Sequence, residues 1–488
     1  MKRYCNLLTY RFLFLLILIV LNLKLSAQLS VPEILSSNMV LQQGQAVPVW
    51  GKALPNEPVQ VLFAKQVLKT KADTAGNWKV ALKPLTASSL PQTMTIKTKK
   101  SKISLENIVV GEVWLCAGQS NMQYRMKLLT QFARPIRGEN LAELELKKPQ
   151  NPMIRVFNKN RDNKPSAWFM ADSTSLENTS AAGYFFGKDI QSRLNVPVGI
   201  ITSAIGGTRI EGWTPATAYE KSAIFAPQLQ TDSAKINGHE AGTFYKNMIE
   251  PLIPFAVKGF LWYQGENNCG ISDRQYAEKY QVMVDCWLSV FRLPNAPFYN
   301  VLLAPHIYSD RLHKGTTRPV TAEQLPLLRA QQIKAQTLIP NTEYVSVSDL
   351  VDNLKDIHPS YKWTVGERLA RVALAKTYGV DSLIWSGPRV RTVLRSDNTL
   401  IVKFDFAGKG LKTAYRRRVN WFEIAGENGV FRPAIADIRG TDKVVVYHPD
   451  IKNPVSVRFA WHETAMPNLV NSEGLPAVQF VSTVQATK

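Results

Sequence analysis

An α/β fold built on a parallel-sheet core, flanked by small all-β regions, follows from three observations. Buried apolar runs alternate with amphipathic helical stretches over residues 106–386. Short alternating strands separated by turn residues fill 28–105 and return over 387–488. The chain's 488 residues are too many for one ordinary core, so two or three domains are expected. Hydrophobic residues make up 45% of the chain, enough for a well-packed protein and against disorder.

Residues 1–27 read as a signal peptide. Lys2 and Arg3 begin a basic segment, residues 12–23 are almost purely apolar, and Leu25-Ser26-Ala27 offers small side chains to a peptidase. The mature chain is expected to begin near Gln28, in a periplasmic or extracellular location. The apolar run is short for a spanning helix, so a retained anchor is the weaker alternative, and no later segment is apolar enough to span. Cys5 precedes the apolar run, where lipid attachment is not expected. The remaining cysteines, Cys116, Cys269 and Cys286, permit at most one intramolecular disulfide and have no zinc-site spacing.

The formal net charge is +21, and Lys2, Arg3, Arg11 and Lys24 of that excess lie in the leader. The mature chain stays basic. Its cations are spread along the sequence without a nucleic-acid-binding motif, and an export signal argues against nucleic acid. Acidic glycans or anionic envelope components suit such a surface better.

In 28–105, Val47-Pro48-Val49-Trp50, residues 59–63 and Met94-Thr95-Ile96-Lys97 are strand-like. The Pro55-Asn56 and Ala75-Gly76-Asn77 turns separate them, as in a small β-sandwich. In 106–386, buried runs at 108–116, 196–205, 257–263, 299–304 and 344–348 alternate with amphipathic stretches such as 273–291 and 365–377. Sites in such sheets form beyond the carboxyl ends of the strands. In 387–488, residues 399–405, 444–448 and 455–461 are alternating strands, with turns at Asp397-Asn398 and 450–454.

Four segments carry chemistry. Gly118-Gln119-Ser120-Asn121-Met122 directly follows an apolar run. A serine at a glycine-containing turn after a buried strand exposes its hydroxyl and aims backbone N–H groups at a developing oxyanion. The segment is not a Gly-x-Ser-x-Gly elbow, because position 122 is methionine. Next, Gly206 and Gly207 end a second buried run, where the backbone is free to approach a ligand and donate an N–H. Third, Trp262-Tyr263-Gln264-Gly265-Glu266-Asn267-Asn268 clusters amides and a carboxylate at a strand end. An amide there suits an oxyanion, and a carboxylate an imidazole.

The fourth segment is Asp356-Ile357-His358-Pro359, ahead of an amphipathic helix. Serine hydrolysis needs a base that titrates near neutrality, and histidine is the usual one. Of the six histidines, His448 and His462 fall in the C-terminal β-region. His239, beside Glu240, is a partial exception among the rest, which lack a close carboxylate in a strand-end loop.

These segments, in this order, resemble the SGNH hydrolases, and more closely the sialate O-acetylesterase group with its carbohydrate acetylesterase relatives. The matching text is Gly-Gln-Ser-Asn-Met around Ser120, Ile-Gly-Gly-Thr at 205–208, Trp-Tyr-Gln-Gly-Glu at 262–266 and Asp-Ile-His-Pro at 356–359. Asn38-Met39-Val40-Leu41-Gln42, and Asn471 with Glu473-Gly474-Leu475-Pro476-Ala477, extend the resemblance over most of the mature chain.

The resemblance implies an SGNH-type hydrolase core and a serine esterase that removes O-acetyl groups from sugars, O-acetylated sialic acids foremost. It implies no metal or cofactor. Ser120 corresponds to the nucleophile and His358 to the base. The oxyanion donors correspond to the Ser120 N–H, the N–H of Gly206 or Gly207, and an asparagine amide. The group's spacing points to Asn268 and the wider superfamily's to Asn267.

The acid departs from the common pattern. SGNH enzymes usually carry aspartate three residues before the histidine, where this chain has Lys355. Asp356 and Glu266 are both candidates, with the esterase relatives favouring Glu266 slightly. Acetylxylan or other polysaccharide acetyl esters are the alternative substrates. A glycan-binding protein on an inactive hydrolase scaffold is the alternative of another class.

Overall fold

A computed structural model describes residues 29–484, apart from 133, 162–163, 232–233, 272 and 311–319. The expected signal segment lies outside the described residues. The centre is a sheet of seven strands: β1 (Lys102–Gly118), β2 (Asn151–Asn158), β3 (Trp168–Ala171), β4 (Val198–Ala204), β5 (Gly259–Tyr263), β6 (Phe298–Val301) and β7 (Thr342–Val345). Their order is β7-β6-β5-β1-β4-β2-β3. Every adjacent pair is parallel except the β2–β3 edge. The parallel α/β sheet expected from the alternation of buried runs and helices is therefore present.

Side-chain alternation along β1 sorts the helices onto the two faces. Trp114 and the neighbouring Ile200 of β4 face α2 (Ala181–Leu194). Trp114 meets Phe186 edge-on at 5.0 Å. A Cβ at Gly187 of α2 would stand 2.7 Å from Ile200, so the glycine lets helix and sheet approach. On the other face, Phe260 of β5, in register with Leu115, packs on Trp287 of α4 (Tyr276–Phe291). Helix α5 (Gln324–Leu338) packs beside α4, and α6 (Lys362–Lys376) beside α2. At that contact a Cβ on Gly366 would lie 2.5 Å from the Ala182 carbonyl.

Strand β1 ties the N-terminal β-region to the site. Its first residues pair antiparallel with Ser88–Lys97, its middle pairs parallel with Val40–Gln42, and residues 112–118 lie between β4 and β5. One hydrophobic cluster runs from Leu29 through Leu374. The buried guanidinium of Arg155 on β2 bonds the carbonyls of Asn38 and Asn107 at 3.1 and 2.8 Å across the same junction. The C-terminal β-region has its own hydrophobic cluster under two four-stranded antiparallel sheets. Among the described residues the three cysteines, Cys116, Cys269 and Cys286, are unpaired.

Candidate active site

Ser120 opens a one-turn helix, α1 (Ser120–Gln123), directly beyond the carboxyl end of β1. The sharp turn is made possible by Gly118, whose φ of +139° no side chain tolerates well and whose Cβ would meet the Tyr263 carbonyl at 2.2 Å. β1 sits in the middle of the sheet, so its end lies in the crevice where α/β sheets bind ligands.

His358 arrives on the loop before α6. Its Nε2 stands 2.9 Å from Ser120 Oγ. Its Nδ1 faces Asp356 Oδ1 at 3.5 Å, and the same oxygen accepts the His358 backbone N–H at 2.9 Å. The side-chain and backbone hydrogen bonds from His358 hold the Asp356 carboxyl below its ordinary value, against the opposing effect of burial. The Tyr124 ring packs on the imidazole at 5.2 Å.

Glu266 opens a one-turn helix, α3 (Glu266–Cys269), close by but is differently engaged. It is 3% exposed, and its Oε1 accepts a short hydrogen bond from Asn121 Nδ2. Burial raises its carboxyl above the usual range, partly offset by Asn121 and by the charges of His358 and Lys362. Asn121 also donates to the Ile357 carbonyl at 3.0 Å. Lys362 Nζ donates to Asn121 Oδ1 at 2.6 Å and to the Pro359 carbonyl at 2.8 Å. Burial pulls the Lys362 ammonium down to about 7, with the Glu266 and Asp356 charges opposing the fall. Glu266 thus reaches the histidine loop through Asn121, whereas Asp356 faces the imidazole directly.

The oxyanion candidates separate just as clearly. Gly206 packs against the nucleophile, since a Cβ there would lie 3.3 Å from Ser120 Cβ. Its own N–H is taken by Gln123 Oε1 at 2.9 Å. Gly207, at φ +73°, has an N–H that bonds nothing else among the described residues. Asn267 Nδ2 makes a short hydrogen bond to the Gly207 carbonyl, which brings that amide to the glycine turn.

Asn268 points away from the serine into a buried ionic cluster. Its Nδ2 donates to Asp273 Oδ2 at 2.8 Å and Glu211 Oε2 at 3.2 Å, and its Oδ1 accepts from Ile210 N and Gln264 Nε2. Lys279 Nζ joins the same two carboxylates at 2.6 and 2.9 Å. Both ends of the Asn268 amide are thus engaged in holding the glycine turn and the Gln264 turn together.

Sequence reasoning missed Gln123, Asn121 and Lys362. For Lys362 the signal was present, because it stands in phase with Val365, Gly366 and Leu369 on the buried stripe of α6. A lysine in such a stripe needs a partner. Lys279 repeats the pattern between Tyr276 and Met283 of α4. Among the described residues no group of three or more His, Cys, Asp or Glu side chains gathers as metal ligands would.

A serine hydroxyl on an imidazole, a carboxylate behind the ring and unspent donors at the turn are what acyl transfer from an ester requires. Residues 110–375 match the model of a family described as carbohydrate esterase, sialic acid-specific acetylesterase. The chain is 25% identical over 394 residues to human sialate O-acetylesterase, covering 72% of each protein. It is 24% identical over 431 residues to the mouse enzyme, covering 75% of this chain and 77% of that one. Among solved structures, a carbohydrate acetylesterase from Xanthomonas citri superposes with a TM-score of 0.81 at 29% identity, over 93% of this chain and 99% of that one.

Proposed function

We propose, from the premise that this chain belongs to the sialic acid-specific acetylesterase family of carbohydrate esterases, that Ser120, His358 and Asp356 form its catalytic triad and that O-acetylated sialic acids are its preferred substrates. As a member of that family the protein is a carboxylic ester hydrolase that removes O-acetyl groups from carbohydrates. The observation that carries the triad is the 2.9 Å contact between His358 Nε2 and Ser120 Oγ. An inactive glycan-binding scaffold has no use for that pair.

Ser120 Oγ attacks the acetyl carbonyl carbon while its proton passes to His358 Nε2. Negative charge collects on the carbonyl oxygen and meets the N–H groups of Ser120 and Gly207 and the amide of Asn267, whose NH₂ has a second proton to donate. Asp356 keeps the imidazole in the productive tautomer and stabilises the imidazolium without taking its proton. His358 then delivers that proton to the sugar oxygen as its bond to the acetyl carbon breaks. The deacetylated sugar leaves. Water attacks the acetyl-Ser120 ester, again giving its proton to His358, and acetate departs as the proton returns to Ser120 Oγ.

The leader at 1–27 supports export, and the composition shifts support a division at 28–105, 106–386 and 387–488. The substrate is tested by assaying acetate release from 9-O-acetyl-N-acetylneuraminic acid and from acetylated xylo-oligosaccharides side by side. The sialic acid is expected to have the higher kcat/KM. A clear preference for the xylo-oligosaccharides overturns the sialic acid assignment.

A further inference from the structure

Beside the catalytic serine lies a cavity of about 460 Å³, open to solvent beyond the carboxyl ends of β2 and β4. Its size falls in the range of small-molecule sites. Gln123 forms its wall toward the nucleophile: the side chain that takes the Gly206 N–H at 2.9 Å also lines the cavity. A Cβ on Gly206 would lie 3.3 Å from Ser120 Cβ and 3.4 Å from Gln123 Oε1. One residue's width thus separates the cavity from the serine. A sugar whose acetyl ester is held at Ser120 has this space directly within reach.

The lining is unevenly charged. Arg125, exposed one residue beyond Tyr124, forms no ion pair or side-chain hydrogen bond among the described residues. The ammonium of Lys159 is engaged by Glu33 at 3.5 Å. Asp172, which also lines the cavity, caps a helix through Oδ1, accepting from Ser175 N at 2.8 Å, and forms no ion pair with Arg125. Among the described residues the guanidinium of Arg125 is thus the cation of this lining that has no direct ionic partner.

Two further features suit a sugar. Phe169, on edge strand β3, lines the cavity with its side chain 52% exposed, an apolar face for a pyranose ring. Thr202 is 7% exposed, and among the described residues its Oγ1 has no hydrogen-bond partner; neither does Asn158 Oδ1. Buried polar atoms of this kind are costly until a ligand or water completes them.

We infer that this cavity is the subsite for the carboxylate of an acidic sugar, read by the guanidinium of Arg125 while the acetyl ester sits at Ser120. The guanidinium fork matches a carboxylate with two parallel N–H donors and opposite charge, and a neutral sugar lacks that charge. This inference rests on the sugar acetylesterase reading and deepens it. A sialic acid and an O-acetylated hexuronic acid share the required charge.

The test compares acetate release from 9-O-acetyl-N-acetylneuraminic acid and from its C1 methyl ester, which differ only in charge at the carboxyl group. A parallel arm uses O-acetylated galacturonic acid and its methyl ester. Wild-type enzyme is expected to favour one of the acids over its ester, and the favoured pair identifies the sugar. In Arg125→Gln the acid-to-ester ratio of kcat/KM is expected to fall roughly 10-fold to 100-fold, the loss of one charge-assisted contact. Arg125→Lys should restore part of it.

Arg125 is exposed, so a thermal unfolding curve close to that of wild type will accompany the change. An unchanged ratio in Arg125→Gln, or a wild-type enzyme indifferent to the charge, overturns the subsite and leaves the sugar acetylesterase reading standing. Cleavage of acetylated xylo-oligosaccharides without cleavage of either acid overturns both the subsite and the sialic acid substrate.

Discussion

Replacing Asp356 by asparagine is expected to lower kcat/KM about 100-fold, and the figure follows from the geometry. Asp356 Oδ1 stands 3.5 Å from His358 Nδ1, and its side chain is 46% exposed. A unit charge pair at that distance is worth about 1 kcal/mol in a water-like medium and about 5 kcal/mol at an effective dielectric of about 20. A half-exposed carboxylate lies between these limits, at about 3 kcal/mol for the imidazolium formed in the transition state, or about 10² in rate. That is less than the ~10⁴ lost when a fully buried triad aspartate is replaced.

Glu266→Gln keeps an oxygen to accept from Asn121, so its loss should stay within about tenfold. Steady-state acetate release from an acetylated sugar, with circular dichroism to verify folding, measures both. An Asp356→Asn enzyme within about threefold of wild type, beside a Glu266→Gln enzyme down more than about 100-fold, would refute the reasoning. Because the folded Asp356 carboxyl titrates below its ordinary value, its pairing is intact above that value and fades only as pH falls through the lower one. Loss of activity just below neutrality is therefore not assigned to Asp356.

Lys279→Met should destabilise the fold by about 3–5 kcal/mol, because Glu211 and Asp273, 0% and 3% exposed, are left without their cation. A denaturant midpoint near that of wild type would contradict the ion cluster's role. Asn267→Ala should cut kcat about 10²-fold with little change in unfolding temperature, as loss of one oxyanion donor does. Asn268→Ala should instead appear mainly as lost stability, and the reverse pattern would return Asn268 to the oxyanion hole. Asp189 of α2 is pushed up to about 6 by burial and by Glu367. The folded state therefore holds its proton more tightly than the unfolded chain, and stability is lost as pH rises from the ordinary aspartate value through about 6. Asp189→Asn is predicted to stabilise by about 1–2 kcal/mol at pH ~8, after discounting for solvent screening, and hardly at all near pH ~4. Equal effects at both pH values would count against it.

The strands that lead into the site were legible because each is a continuous apolar run, as buried parallel strands are. The site segments were legible because each joins such a run to glycine or amide chemistry. Strand β2 was hidden by Pro152 and Arg155, residues foreign to a core strand until Arg155 is seen capping carbonyls of the N-terminal region. Helix α2 was obscured by Gly183 and Gly187, which lower helix propensity but leave room for Ile200. Asp356 and Glu266, and likewise Asn267 and Asn268, differ in side-chain direction, which spacing along the chain does not determine. In one pair the buried member faces Asn121, and in the other it faces Glu211 and Asp273.

Transfer of the acetyl group from substrate to water through Ser120 is measured by an acid quench of wild-type enzyme during the pre-steady-state burst with 4-nitrophenyl acetate, followed by peptide mapping by mass spectrometry. Acetyl is expected on the peptide containing Ser120, with fragment ions that assign it to that serine and no burst in Ser120→Ala. A burst with the acetyl group on another residue, or a Ser120→Ala enzyme retaining more than about a hundredth of wild-type kcat, would contradict it.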